Sequence, residues 1–234
     1  MSERIYDVMI VGAGVTGCEA ALACAKRGLD TLLITTSLDT VYNLVGEGAR
    51  LEPPPNTLLA DVFAAKAQDG FLKSWDMHSA AKQHIETIAN IHFLQSSVSA
   101  LRLDGDAVVG VDTWEGVSRY AKKTALCVGS FLRARLTVGS LTENAGRLSE
   151  MAYDDLHENL VALGFEFEEL ELTAKAQDGS LPYTVACQVF AEHERDGFNL
   201  KRLKDLYAAG VCAFGYLTYE AAAAQGRELA AQFN

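Results

Sequence analysis

The sequence predicts an α/β chain built on a parallel sheet, and three observations predict it. A short apolar run, Ile5 to Val11, ends at Gly12. An Ala-rich stretch of good helix formers follows to about Arg27, where Gly28 stops it, and a second apolar run covers Thr31 to Thr35. Strand, helix and strand within roughly thirty residues make a βαβ unit, whose strands are parallel and whose crossover is right-handed. With 234 residues, 49% hydrophobic and 22% charged, the chain has enough material for one large domain, read here as residues 1–234.

The remaining elements follow from local pattern. Ser37 to Asn56 contains Gly46, Gly48 and Pro53-Pro54-Pro55 and reads as a loop. Helical periodicity covers about Thr57 to Gln68 and Met77 to Ile88, and Ile91 to Leu94 is strand-like. Ser97 to Leu103 and Ala107 to Thr113 alternate apolar and polar residues around Asp104-Gly105-Asp106, which predicts a hairpin, with a third strand around Arg119 to Ala121. These form a small β insert at about 97–123. Thr124 to Val128 is a wholly apolar strand. A helix over Met151 to Leu163 and strands over Phe165 to Leu172 and Tyr183 to Phe190 fill a small α+β insert at about 140–200. Leu206 to Ala209 is the last strand, and Tyr219 to Phe233 is a closing helix.

Gly12-Ala13-Gly14-Val15-Thr16-Gly17 is a G-x-G-x-x-G loop in its required context, strand before and helix after. Gly12 makes the turn, Gly14 lets backbone approach a pyrophosphate, and Gly17 permits close helix–strand packing beside the positive helix end. The expected fold is therefore a Rossmann-type FAD/NAD(P)-binding parallel sheet carrying an inserted antiparallel hairpin or meander. The second strand lacks a terminal acid for a ribose hydroxyl; it ends in Thr35-Thr36, and Asp39 is the next acid. No basic residue follows to favour a 2′-phosphate. Two features point to FAD: the hairpin inserted before Val128-Gly129-Ser130, and the late strand ending at Gly210, which leads through a Gly215 loop toward a second helix N-terminus.

Four stretches carry a resemblance to the glucose-inhibited division protein A family, flavoenzymes that modify wobble uridine in tRNA, and to the related folate-dependent tRNA methyltransferases. They are Asp7 to Ala21 with its Cys18-Glu19-Ala20-Ala21, Thr31 to Thr40, Leu126 to Leu132 with Leu136 to Gly139, and Tyr207 to Gly210 with Tyr219 to Gly226. The family's loop after the second strand carries a cysteine, whereas Val41 to Gly48 has none. The resemblance implies a compact FAD-binding protein lacking the large substrate insert and the helical tRNA-contacting domain, with hydride transfer through flavin N5. Its alternatives are a non-catalytic flavin-binding accessory subunit and residual tRNA modification. The candidate cofactor-binding residues are Gly12, Ala13, Gly14, Val15, Thr16, Gly17, Thr35, Thr36, Val98, Gly129, Ser130, Gly210, Val211, Tyr219 and Glu220; no catalytic residue is assigned.

Charge and composition bound the partners. There are 31 acidic and 20 basic residues, a net charge of −11, so tRNA is an unexpected partner and a small redox substrate or nicotinamide donor the expected one. The longest uncharged stretch near the end, Leu206 to Tyr219, is too short to span a bilayer, and no leader pattern opens the chain, so a cytoplasmic protein is expected, with an oligomer allowed. The five cysteines have no C-x-x-C spacing and the five histidines no metal pattern. The cysteines read as core residues, Cys212 being the one to watch because of its position beside the presumed cofactor.

Overall fold

The computed structural model describes residues 4–174 and 181–233. The expected spans 1–234 and 140–200 also include residues 1–3, 175–180 and 234, which lie outside the described residues.

In chain order the first half comprises β1 (Ile5–Val11), α1 (Val15–Lys26), β2 (Thr31–Thr35), β3 (Gly48–Arg50), α2 (Leu58–Lys66), β4 (Phe71–Lys73), α3 (Ser74–Glu86) and β5 (Ile91–Gln95). Next come β6 (Val98–Asp104), β7 (Ala107–Thr113), β8 (Ser118–Leu126), β9 (Arg135–Val138), β10 (Leu141–Glu143), β11 (Ala145–Arg147) and β12 (Glu150–Met151). The chain ends with α4 (Asp154–Ala162), β13 (Phe167–Ala174), β14 (Tyr183–Phe190), β15 (Arg195–Asp196), β16 (Asn199–Leu200), β17 (Leu206–Ala208), α5 (Val211–Phe214) and α6 (Tyr219–Ala230).

The central sheet runs β15-β16-β17-β8-β1-β2-β5, with β6 and β7 attached beside β8. β17, β8, β1, β2 and β5 are mutually parallel. Alternate residues of β1 and β2 serve two cores: Val8, Ile10 and Leu33 join α1, α3 and α6, while Met9, Val11, Leu32 and Ile34 join the face that carries α4. Burial on both faces explains why these strands read as continuous apolar runs. The fold is α/β with a mainly parallel sheet, as the βαβ unit predicts.

Three local expectations are corrected. The strands expected at 119–121 and 124–128 are one, β8, in which Ser118 to Tyr120 pair antiparallel with β7 and Tyr120 to Leu126 pair parallel with β1. The loop expected over Ser37 to Asn56 holds a short 3-10 turn, Leu38–Thr40, and β3, which pairs with β4. The helix expected from Met151 begins at Asp154, since Glu150 and Met151 pair with β11 instead.

A second sheet, β10-β9-β14-β13, stands apart from the first and includes β9 and β10, which the sequence pattern does not reveal. Among the described residues no helix is long and apolar enough to cross a membrane.

Candidate functional site

The glycine loop lies where β1 passes into α1, and its three glycines have different reasons to be glycine. Gly12 has φ +106, and a Cβ there would overlap the Cys127 carbonyl at the end of β8. A Cβ on Gly17 would overlap the Gly12 carbonyl oxygen. Both are packing requirements. Gly14 differs: it is exposed, its φ is −75, and a Cβ there would meet nothing within 4 Å. The outer side of the loop is open while the inner side is closed to a side chain.

The helix behind that space is unusual in its charge. α1 has no side-chain cap and no acid in its first turn. Its counterparts do: Thr57 and Thr218 cap α2 and α6, and Asp76 and Asp154 stand in the first turns of α3 and α4. Among the described helices of nine residues or more, α1 alone leaves its N–H groups and positive end without a partner of the chain's own. The residues present fit a phosphate-bearing nucleotide.

The late strand meets this loop. Gly210, φ +78, has room for no side chain without pressing Thr16, since its Cβ would stand 3.0 Å from Thr16 Oγ1. The Gly210 amide donates to Gln225 Oε1 at 3.1 Å, which keeps it from a ligand. The helix after it, α5, has four residues, and the longer α6 starts only at Tyr219. Glu220 fills the first turn of α6 and accepts the Glu52 amide at 3.1 Å, while the Tyr219 hydroxyl accepts the Val45 amide at 2.7 Å. The second helix N-terminus expected at the crevice is thus complemented by its own acid and fastens the 43–52 loop.

The other predicted positions are distributed around the same sheet end. Thr35 is buried, its hydroxyl donating to Ser37 O at 3.1 Å; Thr36 is half-buried, and the Asp39 side chain is 95% exposed. Val98 is fully buried at the start of β6. Gly129 has φ +57, and the Ser130 hydroxyl donates to Gly146 O at 3.1 Å. Ala13 accepts the Tyr42 amide at 2.8 Å, so the loop after β2 lies directly against the glycine loop. Val211 opens α5.

Cys212 is fully buried and its thiol donates weakly to the Leu126 and Ala209 carbonyls, with burial pushing its pKa up to about 12. It is a core residue. The structure brings His193 together with Glu166 and Glu194, which sequence spacing does not reveal. Arg202 donates to both Glu194 oxygens, at 2.6 and 2.7 Å, so a cation of the chain already neutralises that carboxylate.

Comparison with known proteins agrees with this geometry. The family model described as "Glucose inhibited division protein A" matches residues 7–54 and 63–178. The tRNA uridine 5-carboxymethylaminomethyl modification enzyme MnmG of Chlamydia trachomatis serovar A is 30% identical over 198 residues, covering 74% of this chain and 32% of that protein. The chain therefore spans about a third of that relative's length. The GidA-related protein from Thermus thermophilus is 38% identical, with a TM-score of 0.88 over 97% of both chains. GidA from Aquifex aeolicus shares the fold at 15% identity, with a TM-score of 0.79 over 97% of this chain and 62% of that one. Glycine oxidase from Bacillus cereus also shares the fold, at 12% identity and a TM-score of 0.53 over 97% of this chain and 94% of that one. An open glycine loop before an uncapped helix, and a family match across most of the same sheet, lead to one assignment: the chain belongs to the glucose inhibited division protein A family.

Proposed function

We propose that the chain is an FAD-binding flavoprotein of the oxidoreductase type, with the cofactor's pyrophosphate held at the N-terminus of α1. The observation that carries this reading is the contrast between α1, which has neither cap nor acid, and the other long helices, which have one or both. Gly12 to Gly17 would cradle the pyrophosphate, with Thr35, Thr36 and Val98 toward the adenosine and Gly129, Ser130 and Val211 toward the flavin. Gly210 serves by its close approach to Thr16 rather than by its amide. Tyr219 and Glu220 hold the 43–52 loop in position. The flavin, when bound, supplies hydride transfer through N5. The protein supplies the open glycine loop and the fastened 43–52 loop. The test is the absorption spectrum of purified protein, then anaerobic titration with NADH and NADPH. Flavin bleaching by either supports an enzyme. A bound flavin that neither reduces supports an accessory subunit.

A second reading has its own support. The curated relative is named for modifying tRNA uridine, and this weighs against the expectation, drawn from net charge alone, that tRNA is not a partner. A fluorescence-anisotropy titration with bulk tRNA at about 0.15 M salt decides it. Sub-micromolar binding favours tRNA modification; no binding leaves a small-molecule flavoprotein.

A further inference from the structure

The loop after β2 is tied to the β11–β12 hairpin by one polar group. Arg147 pairs with Glu150 through Nε and donates from Nη1 to Asn43 O at 3.1 Å. The other Glu150 oxygen accepts from Thr40 Oγ1 at 2.9 Å. The Arg147 and Glu150 side chains are 18% and 10% exposed, so the pair is largely shielded from solvent. Asn43 directly follows Tyr42, whose amide bonds Ala13 of the glycine loop, so this group stands two links from the proposed pyrophosphate site.

The donors at this point outnumber the acceptors. Arg147 Nη2 makes no hydrogen bond to a described residue. The Tyr219 hydroxyl accepts from Val45 and keeps its own proton to donate. Tyr183, half-buried on β14, packs against the cluster that contains Ala145, which shares β11 with Arg147, and its hydroxyl has no partner among the described residues. Glu150, the one acid of the group, already has both oxygens engaged. The Arg147–Glu150 pair is neutral overall, which gives a full negative charge little reason to bind. Surplus N–H and O–H donors around a neutral pair match carbonyl oxygens. On the same hairpin Leu148 and Met151 are 50% and 70% exposed and offer apolar contact to a ring.

We propose that Arg147, Tyr183 and Tyr219 form a binding site for a neutral, planar carbonyl compound such as a quinone or a ring amide. This rests on the flavoprotein reading, since such a ring would be the partner of the cofactor in the adjoining crevice.

The test uses FAD-reconstituted protein, with menadione as the probe and benzoate as the anionic control, both titrated by isothermal calorimetry. Arg147→Lys keeps the charge opposite Glu150 and loses the planar fork; Tyr183→Phe removes one hydroxyl from a half-buried position. Each variant should retain FAD as the parent does and bind menadione about threefold to tenfold more weakly, the effect of one lost hydrogen bond. Should Arg147→Lys fail to fold, Tyr183→Phe decides alone. Unchanged menadione affinity, no menadione binding, or tighter binding of benzoate overturns the site while leaving FAD retention intact. Failure to retain FAD counts against the flavoprotein reading instead.

Discussion

The Tyr42 hydroxyl donates to Glu19 Oε1 at 2.6 Å, and both side chains are buried. Glu19 stands on α1, just behind the glycine loop, and the same oxygen accepts the Leu59 amide at 3.1 Å. Tyr42 has φ +54, a strained conformation for a non-glycine residue, and its amide bonds Ala13. One buried carboxylate thus fixes the loop after β2 and the start of α2 against α1. Tyr42→Phe removes the donor and should cost about 1–3 kcal/mol of stability, measured by urea unfolding. A loss below a few tenths of that would mean the pair contributes little.

Burial raises the Glu19 pKa above its ordinary 4.5, against the lowering effect of the Tyr42 hydrogen bond. The folded state therefore holds this proton more tightly than the unfolded state. Stability from this group is greatest near and below pH 4.5 and declines as pH rises through the raised value. Glu19→Gln removes the titration while keeping an acceptor for Tyr42 and Leu59. The stability of the parent relative to this variant should fall as pH increases from 4.5 and then level off. A difference that stays flat or grows with pH contradicts the assignment.

All five cysteines are buried, and burial raises each thiol, Cys24 and Cys212 to about 12 and Cys187 to about 11. Thiolate is the reactive form, so native protein at about pH 8 should give almost no reaction with Ellman's reagent and five equivalents after denaturation. Rapid native labelling of one thiol, Cys212 above all, would restore a reactive role for it.

Gly17 and Gly14 should separate packing from binding. A methyl on Gly17 meets the Gly12 carbonyl, and backbone cannot yield cheaply there, so Gly17→Ala should be destabilised by about 1–3 kcal/mol. Gly14→Ala enters open space at an ordinary φ and should melt like the parent. Equal melting of the two variants would show that the loop does not pack as described.

The βαβ unit is legible because strand runs, helix formers and glycine punctuation are all local signals. So is the glycine loop, whose spacing sits between those elements. β8 reads as two strands because Lys122 and Lys123 break its apolar run, yet Lys123 pairs with Val8 of β1, and Ala125 and Leu126 lie in the core. Gly226 stands out in the sequence only as part of a motif; its role is that a Cβ there would overlap the Thr16 carbonyl, so α6 packs backbone-to-backbone on α1. Glu19–Tyr42 and Arg147–Asn43 escape the sequence altogether. They join residues 23 and 104 positions apart, and no periodicity marks a long-range polar contact.

The most direct measurement of the central claim is the cofactor content of the parent and Gly14→Val side by side, each denatured after reconstitution with FAD and the released nucleotide identified by chromatography. A valine side chain there fills the space left open before α1 and leaves the packed core untouched. The account predicts near-stoichiometric FAD from the parent and almost none from the variant, with matching far-ultraviolet circular dichroism. Equal FAD in both, or NAD alone from the parent, would contradict it.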